Sequence, residues 1–439
     1  MALGGGTFVT QNKILPGSYI NFVSAAKATA ALSDRGIATI PYYLDWGALN
    51  EMIEVSTGDL QKNSLKLFGY DYTAPELKPF RELFKNIRIG YLYRIGEGGT
   101  EAYNDFATAK YPGERGNKLK VVIDDNADND GYFDVTLILD GSPVDVQTVQ
   151  SAADLVDNDF VVWKKEATLD TTAGVNFEGG VSPDGNPDKM KGYYSKYLEI
   201  AEGFSFNAIG CPSDDEDVKG LFAAFTKRMR DEQGVKFQCV LHNPGKSSDY
   251  EGVVDIQNSV VDEAEQSLVY WVTGVIAGTN VNKSALNKVY DGEYTVDVNF
   301  TQTRLEQLIK GGKFTFHRVG ADVRVLSDIN SLVNVTLEKG EDFKQNQTIR
   351  VIDQIANDIA VLFNTKYLGV VPNDADGRIS LWADIVKHHE QLQTIRAIEN
   401  FKGEDVKVSQ GDTKRSVVVE DMVSVVNAMA QLYMTCVVA

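Results

Sequence analysis

FSFNAIGCPSDDEDVKGLFAAFTKRMRDEQGVKFQCVLHN, residues 204–243, contains two extended segments separated by one helix, and that order decides the reading of the chain. FSFNAIG stops at Cys211-Pro212, where proline removes a ladder donor. SDDEDV then places carboxylates where a helix N-terminus is electropositive, and Leu221, Phe225 and Met229 recur at helical spacing behind it. VKFQCVLHN is apolar enough to be buried on both faces, as strands of a parallel sheet are. A strand, a helix and a strand in sequence make the repeating unit of a layered α/β domain.

The pattern continues in both directions. Downstream, GVVDIQNSVV (252–261) is extended, QSLVYWVTGVIAG (266–278) is an apolar helix, and KFTFHR (313–318) and VRVLSDI (323–329) supply later strands. Upstream, PELKPFRELFKN (75–86) is helical through Leu77, Phe80 and Phe84, and IRIGYLYRI (87–95) is a buried strand. Between Gly96 and Gly185 the texture changes to short alternating runs, KLKVVID, YFDVTLIL and DFVVWKKE, broken by DNADNDG and LDGSPVD. Strands separated by such turns form a β-rich module inserted between parts of another domain. Towards the end, Ile349, Ile352, Ile355, Ile359 and Leu362 mark one helix face, and Trp382, Ile385, Leu392 and Ile395 mark a second; Trp382, Ile385 and Leu392 are read as core. VKVS and RSVVVEDMVSVV are extended, and LYMTCVVA is a final strand candidate. At the other end, a Gly4-Gly5-Gly6 run and Pro16-Gly17 precede the β-prone SYINFV, which reads as an arm in need of a partner.

Composition excludes several functions. A chain of 439 residues can bury several cores, and a formal net charge of -19 opposes capture of nucleic-acid phosphates. Cys211, Cys239 and Cys436 are odd in number and far apart, so they give neither a disulfide framework nor a thiolate metal site. No 18-residue apolar stretch and no leader pattern point to membrane insertion or secretion.

Candidate chemistry is sparse. Asp124, Asp125, Asp128 and Asp130 suggest calcium, yet a loop frame starting at Asp124 misplaces Gly131, and one starting at Asn126 puts Leu137 where the closing glutamate belongs; the loop is read as a solvated turn. His388 and His389 would need two further ligands to hold zinc; His389 fits the helix face and His388 is read as sitting beside Asp384 in solvent. Cys211 precedes a helix, but its acidic neighbours oppose a thiolate. No nucleophile elbow, phosphate-binding loop or dinucleotide fingerprint is present. No catalytic residue, metal ligand or cofactor is assigned.

The order of LPGSYINF (15–22), SDRGIATIPYYLDWG (33–47), AKYPGERGNKLKV (109–121), TGVIAGTNVNKS (273–284) and VVNAMAQLYMTCVV (425–438) resembles the tail sheath proteins of contractile-tailed phages, especially those of phage-like elements in Gram-positive bacteria. The resemblance runs nearly the full length. It implies a multidomain α+β and α/β fold: a linking arm (1–24), a conserved inner α/β sheath domain (25–95 and 186–343), a β-rich inserted outer module (96–185) and a conserved C-terminal domain ending in a linking strand (344–439). It also implies a structural subunit, not an enzyme. Subunits form six-fold rings stacked helically around a tail tube, are assembled in the bacterial cytoplasm into a virion tail, and meet tube, baseplate and terminator proteins. Terminal strands add to sheets of neighbouring copies: here Ser18, Tyr19, Ile20, Asn21, Phe22 and Val23 in the arm, and Leu432, Tyr433, Met434, Thr435, Cys436, Val437 and Val438 at the end. The alternatives are a non-contractile tube or other virion structural protein, and an enzyme or carbohydrate-binding tail module.

Overall fold

The computed structural model describes residues 32–438, so the expected arm strand Ser18–Val23 lies outside the described residues. Contacts divide the chain into two compact units, residues 34–356 with 425–438, and residues 357–424 with 32 and 33.

In the larger unit a seven-stranded sheet has the spatial order Lys313–Phe314, Val253–Ile256, Gln238–His242, Ala208–Gly210, Ile37–Tyr42, Ile89–Arg94, Met52–Ser56. Every neighbouring pair is parallel except the last, which is antiparallel. The strands are buried on both faces, which is why VKFQCVLHN reads as a continuous apolar run. Ala38, Ile40, Val240 and Val254 face one apolar core and Ile209, Cys239, Leu241 and Val253 the other, the alternation that a strand's two-residue period dictates. Helices Lys78–Phe84 and Leu268–Gly278 cover the first face. Gly278 permits that packing, since a Cβ there would lie 1.7 Å from the Asn86 carbonyl oxygen. Helices Pro187–Ala201 and Glu216–Asp231 cover the second face. The acidic run opens the latter helix as expected: Val218 N–H donates to the Asp215 carboxylate at 3.0 Å. Near its end Arg230 forms a buried two-point ion pair with Asp353, at 2.6 and 2.8 Å.

The chain leaves this layer after Ile95 and returns near Asp184, the two crossings paired at Glu97 with Asp184 and Thr100 with Val181. Between them lie a four-stranded sheet (Thr172–Asn176, Leu119–Asp125, Phe133–Leu139, Ser142–Val149) and a three-stranded sheet (Glu101–Tyr103, Ala107–Pro112, Val161–Trp163). Their core also contains Trp46, contributed by the loop after strand Ile37–Tyr42 and 1% exposed. The join is clamped further. Buried Arg94 donates to the carbonyls of Leu44, Gly47 and Pro112 at 2.6–2.9 Å, and Arg115 donates to Gly69 O at 2.7 Å while its guanidinium lies over the Tyr70 ring. Asp124 and Asp125 end the strand Leu119–Asp125, and Asp128 and Asp130 lie exposed in the turn that follows, where Asn126 Oδ1 accepts from the amides of Asp128 and Asn129; no group of residues able to hold a metal occurs among the described residues.

In the smaller unit the helix Ala375–Thr394 buries Ile385 and Leu392, as the periodicity predicts. Trp382 departs from its expected place in the core: it is 36% exposed. Its indole N–H donates to the carbonyls of Gly403 and Val406 at 3.0 and 3.1 Å, so the ring packs at a rim where its polar edge finds partners. The helix Asn346–Leu362 buries Ile349 and Leu362, leaves Ile352, Ile355 and Ile359 half-buried, and runs into a π turn, Phe363–Tyr367.

Candidate functional site

No strand forms at Leu432–Val438 within the chain, although its alternation is that of a strand. A strand needs a ladder partner for its N–H and C=O groups, and among the described residues no strand pairs with this segment. The segment is held at its root: Gln347 Nε2 donates to Val426 O at 2.9 Å, Ala428 N donates to Gln347 Oε1 at 2.9 Å, and Asn427 Nδ2 donates to Thr348 Oγ1 at 3.2 Å. Beyond this anchor Met429 is 99% exposed, Leu432 86% and Val438 94%, with Tyr433, Met434 and Val437 similarly bare. Tyr433, Thr435 and Val437 alternate with Leu432, Met434, Cys436 and Val438, so a strand here presents apolar side chains on both faces. Burying each large one gains roughly 1.5–3 kcal/mol.

The smaller unit carries the complementary feature. Val406–Gln410 and Val417–Asp421 pair antiparallel over five residue pairs, from Val406 with Asp421 to Gln410 with Val417, as a sheet of two strands. A lone two-stranded ribbon is marginal, and its outer edges offer unpaired backbone groups to an incoming strand. Val418 and Val419 are exposed on it. Trp382 and His389 fix the ribbon to the helix Ala375–Thr394. His389 is fully buried: Nδ1 lies 2.9 Å from the Ile385 carbonyl, and Nε2 lies 2.8 Å from the Asp421 carboxylate that ends the ribbon. His388 corrects the expectation of a solvent pair with Asp384. It is buried, and its Nε2 meets Asp358 at 2.9 Å, while Asp384 is taken by Lys366 and Tyr367. The two histidines therefore brace packing, and the arrangement has none of zinc's converging ligands.

Cys211, His242 and Asp255 are buried titratable groups outside these two features. Burial pushes the Cys211 thiol up to about 12, far from a thiolate at neutral pH. Burial, with Lys219 nearby, pushes His242 down; its Nε2 lies 3.3 Å from Ser259 Oγ, but Glu265 accepts from that hydroxyl at 3.4 Å and does not orient the imidazole. A base held by a third group is what a nucleophilic relay requires. Asp255, raised to about 6 by burial against the pull of Lys313, sits 1% exposed in the sheet.

Four family models match in order along the chain: the tail sheath protein Gp18 domain III N-terminal region at 35–95, the phage tail sheath protein beta-sandwich domain at 96–184, the phage tail sheath protein central domain at 188–331, and the phage tail sheath C-terminal domain at 338–439. The phage-like element PBSX protein XkdK of Bacillus subtilis (strain 168) is 32% identical over 98% of this chain and 99% of its own. The solved sheath tail protein of Desulfitobacterium hafniense is 33% identical, covers 94% of this chain and 97% of its own, and superposes with a TM-score of 0.79. The helical sheath of the anti-feeding prophage in its contracted state shares the fold, with a TM-score of 0.57 at 13% identity over 97% of this chain and 99% of its own.

Proposed function

Because the chain belongs to the phage tail sheath protein family, whose members are structural parts of the virion tail, we propose that it polymerises into six-fold rings stacked helically around a tail tube and contracts to drive that tube through an envelope. The single observation that carries this reading is the pairing of an anchored, bare, β-patterned end, Leu432–Val438, with an open-edged ribbon, Val406–Gln410 and Val417–Asp421. One copy's end adds to another's ribbon: main-chain bonds keep the ladder while alternate side chains gain burial. Such a ladder survives a change of direction in the short linker before Leu432, so rings can rotate and close up without separating. The N-terminal segment Ser18–Val23 is the second connector. The β-rich module at 96–185 is the outer module and the α/β domain the inner one. Tube, baseplate and terminator proteins are the further partners, and assembly takes place in the cytoplasm of the bacterial host. Fold likeness to a sheath in the contracted state supports contraction over the alternative of a non-contractile tube.

Negative-stain electron microscopy of the purified chain tests the reading. Collars or hollow sleeves in long and short helical states are expected; a single invariant narrow tube would remove it.

A further inference from the structure

Leu337 is a large apolar side chain standing fully in solvent on a rigid support. The turn that carries it is closed twice, by Thr336 N donating to Lys339 O at 2.9 Å and by Lys339 N donating to Thr336 Oγ1 at 3.0 Å. Its base is pinned where Val333 N and Asn334 N donate to Asp249 Oδ1 at 2.6 and 3.0 Å, and where Lys339 Nζ pairs with Glu251 at 2.6 Å. Exposed Glu338 follows the leucine within the turn, and exposed Asp342 lies just beyond it in the chain. A bare leucine on a pinned turn beside acidic residues has the form of a knob.

The smaller unit holds a hole of matching chemistry, a cavity of about 260 Å³ lined by Tyr367, Val371, Leu381 and Val417. Leu368 stands exposed at its lip. Arg378, Lys414 and Arg415 also line it, beside Phe363, Pro372 and the backbone of Gly369 and Gly377, and no ion pair engages Lys414 or Arg415 among the described residues. The walls are braced: Asn373 Nδ2 donates to the carbonyls of Lys414 and Ser416 at 3.1 and 2.8 Å, and Arg378 Nη1 donates to Asn373 O at 3.0 Å. Asp374, next to it, is spent capping the following helix through Gly377 N at 2.8 Å. The π turn Phe363–Tyr367 shapes the near wall, a local irregularity frequent at functional sites.

We propose that the Leu337 knob of one copy seats in this cavity of the next, with Glu338 and Asp342 against Lys414 and Arg415. The contact rests on the assembly reading above and gives it a second, side-chain-specific connection. Knob and hole are different surfaces, so the contact is head-to-tail, the kind that closes as a ring or continues as a helix. The charges fix partner and register, and the leucine supplies the buried anchor.

Disulfide trapping decides it. The full chain carrying Leu337→Cys and Leu368→Cys is concentrated, oxidised, run on a denaturing gel and viewed in negative stain beside each single variant. A ladder of covalent multimers that needs both cysteines is expected. Leu337→Asp is also expected to raise the concentration needed for polymerisation at least about tenfold while leaving the melting curve unchanged, as loss of an interface anchor does. Sleeves without a ladder overturn the contact and leave the sheath reading standing. A ladder without sleeves supports the contact and removes the sheath reading. Neither sleeve nor ladder overturns both.

Discussion

Replacing Trp46 by alanine should loosen the β-rich module from the α/β layers. The indole is 1% exposed, yet its backbone belongs to the loop that follows central-sheet strand Ile37–Tyr42 while its ring lies in the module's core. It meets Tyr111 edge-on at 5.5 Å and Phe160 at 6.3 Å, and its N–H reaches Lys66 O at 3.4 Å. Truncating a buried tryptophan costs about 3–5 kcal/mol, and the upper half of that range is expected here because the walls come from a strand, a loop and a helix end far apart in the chain. Gly69→Ala should act through the same contact: the glycine has φ +76°, and an added Cβ would sit 2.7 Å from Trp46 Cγ. The assay is urea unfolding of the intact chain together with limited proteolysis at the two crossings, 96–99 and 180–185. Trp46→Ala should lower the transition by that amount and open the crossings to cleavage, and Trp46→Phe should recover part of both. A loss below about 1 kcal/mol with an unchanged cleavage pattern would show that the module is held by the Arg94 and Arg115 clamps alone.

Leu392→Ala, at a fully buried position of the smaller unit, should cost about 2–5 kcal/mol in chemical denaturation; unchanged stability would place that helix face outside the core. Asp255 should give a distinct pH dependence. With its acidity weakened to about 6, the folded chain keeps a proton that the unfolded chain releases near pH 4, so this group's contribution is full below about pH 4 and is lost as pH rises through 6. Asp255→Asn should flatten that slope by up to about 3 kcal/mol in urea melts between about pH 4 and 7, and an unaltered slope would assign it to other carboxylates.

What the sequence disclosed was local. The strand, helix and strand of 204–243 appear as read because a buried parallel strand and a capped amphipathic helix each leave a pattern in neighbouring residues. The apolar helix Leu268–Gly278 was legible for the same reason. Partners chosen across long separations were not. His388 was paired with Asp384 four residues back, whereas folding brings Asp358 to it; Trp46 gave no hint that Tyr111 and Phe160 would enclose it. Arg94 and Arg115 bind backbone carbonyls, which no side-chain motif announces. Trp382 fits a helix stripe but also carries an N–H, and two carbonyls at the rim drew it out of the core. At Leu432–Val438 the two-residue period was plain, but among the described residues no strand of the same chain pairs with it.

The most direct test of the account removes that segment. A chain lacking residues 432–439 is compared with the intact protein by circular dichroism, thermal melting and negative-stain microscopy. Because those side chains are bare in the single chain, stability should change by less than about 0.5 kcal/mol, while sleeves and helical polymers disappear. Normal polymers from the truncated chain, or loss of its cooperative unfolding, would contradict the claim that this end joins one copy to the next.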